Sequence, residues 1–145
     1  MLTEAAEELD GLRGMTVTAR DGYILVRYSP VRSLSFCTNH AYRFALVQGL
    51  VDRSLQDLGR NQLVENLITH GEGWIIHRPI EGTRLKLGIE VDGSAVLGNL
   101  RLVARKTSAK LGAVFEDHYP DERVDRGACL DACVEGSRRS RGRPA

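Results

Sequence analysis

Met15-Thr16-Val17-Thr18-Ala19-Arg20-Asp21-Gly22-Tyr23-Ile24-Leu25-Val26-Arg27-Tyr28 is the strongest local structural signal in the chain. Residues 15–20 and 23–28 are β-prone runs rich in Val, Thr, Tyr and Ile, and only Asp21-Gly22 separates them. That pair tolerates the positive φ angles of a two-residue type I′ turn, so the stretch predicts an antiparallel hairpin. A hairpin this early commits the chain to an antiparallel sheet, and the flanks decide what covers it.

Before the hairpin, Leu2, Ala5, Ala6, Leu9 and Leu12 recur at helical spacing, with Glu4, Glu7 and Glu8 where a helix N-terminus favours acids and Gly11 and Gly14 as stops. After it, Ser29-Pro30 breaks the strand. Residues 39–58 then read as a helix with Ala41, Phe44, Val47, Val51, Leu55 and Leu58 along one stripe, and Leu46 and Leu50 form a second apolar strip. An apolar surface wider than one face needs two things to pack against, such as its own sheet and another subunit.

The second half repeats the hairpin theme. Residues 62–70 and 74–79 are predicted strands joined through Gly71-Glu72-Gly73, and residues 83–91 are a third. In that last run Leu85, Leu87, Ile89 and Val91 alternate with Arg84, Lys86, Gly88 and Glu90, so one face belongs to a core. Asp92-Gly93-Ser94 reads as a turn and helix cap, and Leu97, Leu100, Ala104, Thr107, Leu111 and Val114 continue at helical spacing. The order helix, two strands, helix, three strands, helix describes an α+β sandwich, a five-stranded antiparallel sheet with helices on both faces.

Length and charge limit the function classes. The 145 residues, 16.0 kDa, suffice for one domain, 42% hydrophobic and 27% charged as in ordinary globular proteins. A net charge of +1 gives no global pull toward nucleic acid or an anionic membrane. With no apolar run long enough to span a bilayer and an acidic rather than basic start, a cytoplasmic address is expected. Three cysteines, Cys37, Cys129 and Cys133, do not make a disulfide framework. Residues 1–115 carry +2, residues 116–136 carry −5 and residues 137–145 carry +4. The domain is therefore expected to span 1–115, followed by a disordered tail over 116–145, acidic and then Arg-rich.

Over residues 2–115 the chain resembles the roadblock/dynein light chain family. The resemblance rests on a leading helix ending in glycine, the strand running into Asp21-Gly22, the glycine-led strand Gly71-Glu72-Gly73-Trp74-Ile75-Ile76-His77-Arg78-Pro79, and Ala95-Val96-Leu97-Gly98-Asn99-Leu100-Arg101 at the last helix. It implies a homodimer, or a heterodimer with a related roadblock protein, in which the strand carrying Leu63, Val64, Glu65, Leu67 and Thr69 pairs across the interface and the central helices lie side by side. It further implies a non-catalytic regulator or scaffold of a small Ras-like GTPase. Bacterial members similar to the gliding-polarity regulators stimulate GTP hydrolysis by ordering the GTPase's own residues, without an arginine finger. The partner surface is then expected on Tyr42, Arg43, Leu46, Leu50 and Arg53, where aromatic and arginine side chains are the usual anchors. The connection over 29–38, with Cys37, and the tail depart from the family pattern.

Other chemistry is poorly supported. With Gly71-Glu72-Gly73 as the turn, His70 would pair with Trp74 and His77 with Leu67, placing the two imidazoles on opposite faces, unable to share a metal. Cys129 and Cys133, even with His118, lack the second ligand pair of a structural zinc site, and the four terminal arginines read as a solubilising tail. Cys37 with His40 is a poor nucleophile–base pair, and no phosphate loop or catalytic motif appears, so no cofactor and no enzymatic role are expected. The rival reading is a small-molecule sensor of profilin, PAS or GAF type, which needs a pocket between helix and sheet lined by Arg84, Lys86 and Glu90.

Overall fold

A computed structural model describes residues 1–30, 38–60 and 62–118. Cys37, Cys129, Cys133, the terminal arginines and the tail from residue 119 onward lie outside the described residues. The elements are α1 (Leu2–Glu7), β1 (Leu12–Thr18), β2 (Ile24–Tyr28), α2 (Thr38–Asp57), β3 (Asn66–His70), β4 (Gly73–Pro79), β5 (Lys86–Asp92) and α3 (Leu97–His118). The strands form one antiparallel sheet in the order β2-β1-β5-β4-β3, so β2 and β3 are its edges.

The order of elements and the α+β class are as the hydrophobic periods predict, but local chemistry moves several boundaries. Leu12, assigned by spacing to the first helix, opens β1, and that helix stops at Glu7. The first hairpin does not use a type I′ turn. Its strands end at Thr18 and resume at Ile24, the Gly22 amide donates to the Ala19 carbonyl, and the Ala19 amide donates to the Tyr23 carbonyl. Asp21 keeps a negative φ and its carboxylate accepts from the Tyr23 amide, so only Gly22, at φ +88°, adopts the left-handed geometry. In the second hairpin Gly73 already pairs with His70, leaving a two-residue loop, Gly71-Glu72. Ser94 does not cap α3 directly. Its amide and hydroxyl both donate to the Asp92 carboxylate, and the helix begins at Leu97.

One face of the sheet holds the main core. Met15, Val17, Ile76, Leu87, Ile89 and Val91 are fully buried there beneath Leu100, Val103, Ala104 and Leu111 of α3 and Ala5 of α1. This is the alternation read from the last strand, with Leu85 buried just ahead of β5. α1 and α3 run antiparallel, Glu4 bridging Lys110 and Glu8 bridging Lys106, while the Asn99 side-chain amide donates to the Glu8 carbonyl at 2.7 Å. The second half of α3 is anchored at the β4–β5 end, where the Ser108 hydroxyl donates to the Pro79 carbonyl at 2.7 Å. α2 lies alone on the opposite face.

Candidate interaction surface

α2 covers a polar face of the sheet. His77 pairs in register with Gly88, and Gly88 with Thr16, so these three residues share the face away from α1 and α3. Phe44 lies on His77, the rings 4.9 Å apart, and Asp52 reaches Lys86 at 3.6 Å. Gln48, midway between Phe44 and Asp52 at the i, i+4 spacing that shares a helix face, is 3% exposed and is the most buried α2 side chain described. The stripe expected to fill the core is thus rotated: Val47 and Leu58 are exposed, and a glutamine takes the deepest position.

Burial sets the charges in this seam. Desolvation, with the nearby Lys86 ammonium second, holds His77 down to about 4, so its imidazole is neutral. Its Nδ1 is buried without a hydrogen-bond partner among the described residues. Lys86 is also pushed below its ordinary value by burial, partly offset by Asp52.

The outward face gathers the residues expected to meet a partner. Steps of about 100° per residue put Arg43, Leu46, Leu50 and Arg53 opposite Gln48, with Tyr42 on one shoulder and Val47, Ser54 and Leu58 on the other. Leu50 is 65% and Tyr42 55% exposed, and Leu46, Arg43 and Arg53 are exposed as well. Phe44 points to β4, Asp52 to β5, and the Tyr42 backbone lies over Gly22 in the β1–β2 turn, where an added Cβ would meet Tyr42 Cα at 2.6 Å. The Val47 shoulder therefore looks toward β4 and β3, and the Tyr42 shoulder toward β1 and β2. Sequence reasoning places Val47 and Leu58 in the core; the polar pair Gln48 and Asp52, four apart beside Phe44, is the available sign that the inward face lies elsewhere.

β3 is an edge with no fully buried residue. Leu63, Val64 and Glu65, expected within the strand, precede it. Pairing stops at Asn66 opposite His77, and the next partner but one would be Pro79, which has no amide hydrogen to give a ladder. Val64 is 64% exposed, whereas Glu65 is turned inward between Arg101 at 2.9 Å and Arg78 at 3.6 Å. Leu67 packs against the core and Thr69 is exposed. The shorter hairpin loop also shifts the register by one, so His70 and His77 share a face, contrary to the expected opposition. They remain at opposite ends of the hairpin, His70 beside the loop and His77 opposite Asn66, and cannot share an ion. Among the described residues no group of three His, Cys, Asp or Glu is placed to hold a metal.

Two of the three residues that the rival sensor reading needs around a pocket are used otherwise. Lys86 is engaged by α2, and Arg84 is exposed ahead of β5. The groove found in the structure, of about 260 Å³, lies between α1 and β2, along Ala6, Leu9, Leu12, Tyr28 and Pro30. No described helix is long and apolar enough to cross a membrane.

Solved structures share this arrangement. The gliding protein MglB of Thermus thermophilus superposes with a TM-score of 0.72 at 19% identity, over 80% of this chain and 86% of that one. MglB of Myxococcus xanthus gives 0.69 at 18% identity, over 80% and 89%, and a Roadblock/LC7 domain from Streptomyces avermitilis gives 0.69 at 8%, over 79% and 93%. This chain has the roadblock fold. No family model matches the sequence, and no curated protein matches it either. At such identities the roadblock likeness lies in the arrangement of elements and not in shared side chains.

Proposed function

We propose that this roadblock domain is a non-catalytic, dimeric regulator or scaffold that binds a small Ras-like GTPase and modulates its GTP hydrolysis or location. The observation that carries the reading is the outward face of α2: Leu46, Val47 and Leu50, with Tyr42, stand exposed on a helix whose deepest described side chain is a glutamine. The apolar side chains that its own sheet leaves uncovered offer burial to another chain.

Two surfaces divide the work. The Val47 shoulder and the β3 edge face the side on which a second copy, or a related roadblock chain, would extend the sheet and lay its own α2 alongside. Arg43, Leu46, Leu50 and Arg53 on the crest, with Tyr42 on the other shoulder, are the surface assigned to the GTPase. Arginine and tyrosine anchors around an apolar centre suit such a contact.

Solution mass and GTP hydrolysis by candidate GTPases, with and without the protein, test the proposal. A dimer that binds one nucleotide state of a GTPase is the expected result; a strict monomer that binds neither state would refute it.

A further inference from the structure

Three arginines surround the Tyr42 shoulder, and none takes part in an ion pair among the described residues. Arg27 lies opposite Thr16 and therefore on the α2 face of edge strand β2. Arg20 follows Thr18 in the hairpin turn, close enough to Lys86 to affect it, and Arg43 adjoins Tyr42. Between them stand Tyr23, 65% exposed, and Leu25, which the register shift leaves unpaired and exposed. Asp21, the acid within this patch, accepts from the Tyr23 amide.

The topology brings the end of the domain to the same end of the sheet, on its other face. Thr18 and Pro79 both pair with Lys86, so the β1–β2 turn and the β4–β5 connection share one end of the sheet. α3 runs toward that end, with Ser108 on Pro79 and Gly112 against the Glu81 carbonyl, and closes at His118. The chain that follows has the opposite charge: residues 116–136 carry seven acids against Arg123 and Arg126. Within it, Ala128-Cys129-Leu130-Asp131-Ala132-Cys133-Val134-Glu135 is the apolar portion, bearing two of the acids. The eleven residue steps from His118 to Cys129 reach about 35 Å when extended, more than the width of a five-stranded sheet at about 4.8 Å per strand.

We propose that residues 128–135 dock in cis on the patch of Arg20, Tyr23, Arg27, Tyr42 and Arg43, placing Leu130 and Val134 against the tyrosines and Asp131 and Glu135 against the arginines. Because Tyr42 and Arg43 belong to the surface assigned to the GTPase, the tail competes with that partner. The docking itself does not depend on the GTPase reading.

The test is disulfide trapping in the full chain, with Cys37→Ser and Cys133→Ser leaving Cys129 as the native thiol. Tyr42→Cys supplies a thiol in the patch, and Val96→Cys supplies another exposed one at the other end of the sheet. Under a copper–phenanthroline oxidant at low protein concentration, the bond from position 42 to Cys129 is expected to form within one chain, about tenfold faster than the bond from position 96. Reversing Arg20, Arg27 and Arg43 to Glu should slow the bond from position 42 several-fold and leave the bond from position 96 unchanged. Tyr23→Cys repeats the measurement should Tyr42→Cys fail to fold. Equal rates at the two ends, insensitivity to charge reversal, or a bond formed between chains would each overturn the proposal. None of these outcomes requires a GTPase, so the two readings fail separately.

Discussion

The His77 ring of β4 lies 4.9 Å from the Phe44 ring of α2, tilted by 42°, and a Cβ added at Gly88 beside it would sit 3.1 Å from its Cδ2. This contact seats the helix that carries the candidate partner surface, and burial beneath that helix, with Lys86 nearby, keeps the imidazole uncharged. Charging His77 would therefore cost the layer that holds this helix.

A pH dependence follows. The unfolded chain titrates near 6.5 and the folded His77 near 4, so protons favour unfolding as pH falls through 6.5 and the loss ends once the folded form also protonates. Stability from this group is complete above pH 6.5 and declines by about 1.4 kcal/mol per pH unit below it, or about 2 kcal/mol at pH 5. Urea unfolding at pH 7.5 and pH 5 should show this loss in the natural chain and a smaller one in His77→Leu. Equal losses would show that His77 is not the group responsible.

The Lys86 and Asp52 pair should respond asymmetrically. Asp52→Ala strands a half-buried ammonium under α2 and is expected to cost about 1 kcal/mol or more, whereas Lys86→Met fills the same space without a charge and should cost little. Urea midpoints of the two variants and the double variant read this directly. A costly Lys86→Met would mean that the pair itself stabilises the seam.

Glycines in helices separate packing from propensity. At Gly112 in α3 an added Cβ would sit 2.6 Å from the Glu81 carbonyl oxygen, while at Gly49 in α2 it would meet nothing within 4 Å. Propensity alone favours alanine at both by about 1 kcal/mol. Gly49→Ala should gain that amount, and Gly112→Ala should instead lose about 1 to 2 kcal/mol because backbone must move. Thermal melts showing gains at both sites would refute the close approach.

These cases show what the sequence could disclose. Leu85, Leu87, Ile89 and Val91 announce a buried face because alternation follows from strand geometry alone, and the succession of helices and strands along the chain follows from similar local periods, whereas the pairing of β1 with β5 does not. Gly112 against Glu81 joins residues 31 apart and leaves no trace in a local pattern. Whether Gly73 belongs to turn or strand decides on which face the two histidines fall, because a shift of one residue inverts the faces. The inward face of α2 escapes a reading guided by hydrophobicity because the sheet offers it Thr16, His77 and Lys86. The candidate partner residues are legible for the same reason, since apolar side chains in excess of one face must emerge somewhere.

The two shoulders of α2 give the sharpest test of the proposed function. Val47 faces the β3 side and Tyr42 faces the β2 side, and both are exposed, so neither substitution should change the stability of the isolated domain by more than about 0.5 kcal/mol. Val47→Glu places a charge where a second α2 would lie and should halve the solution mass. Tyr42→Ala should leave the dimer intact and weaken GTPase binding about tenfold, as expected for the loss of an aromatic anchor. Mass from light scattering and affinity from titration calorimetry separate the effects. If Tyr42→Ala dissociates the dimer while Val47→Glu spares it, the second copy sits on the β2 side and the assignment of the two shoulders is reversed.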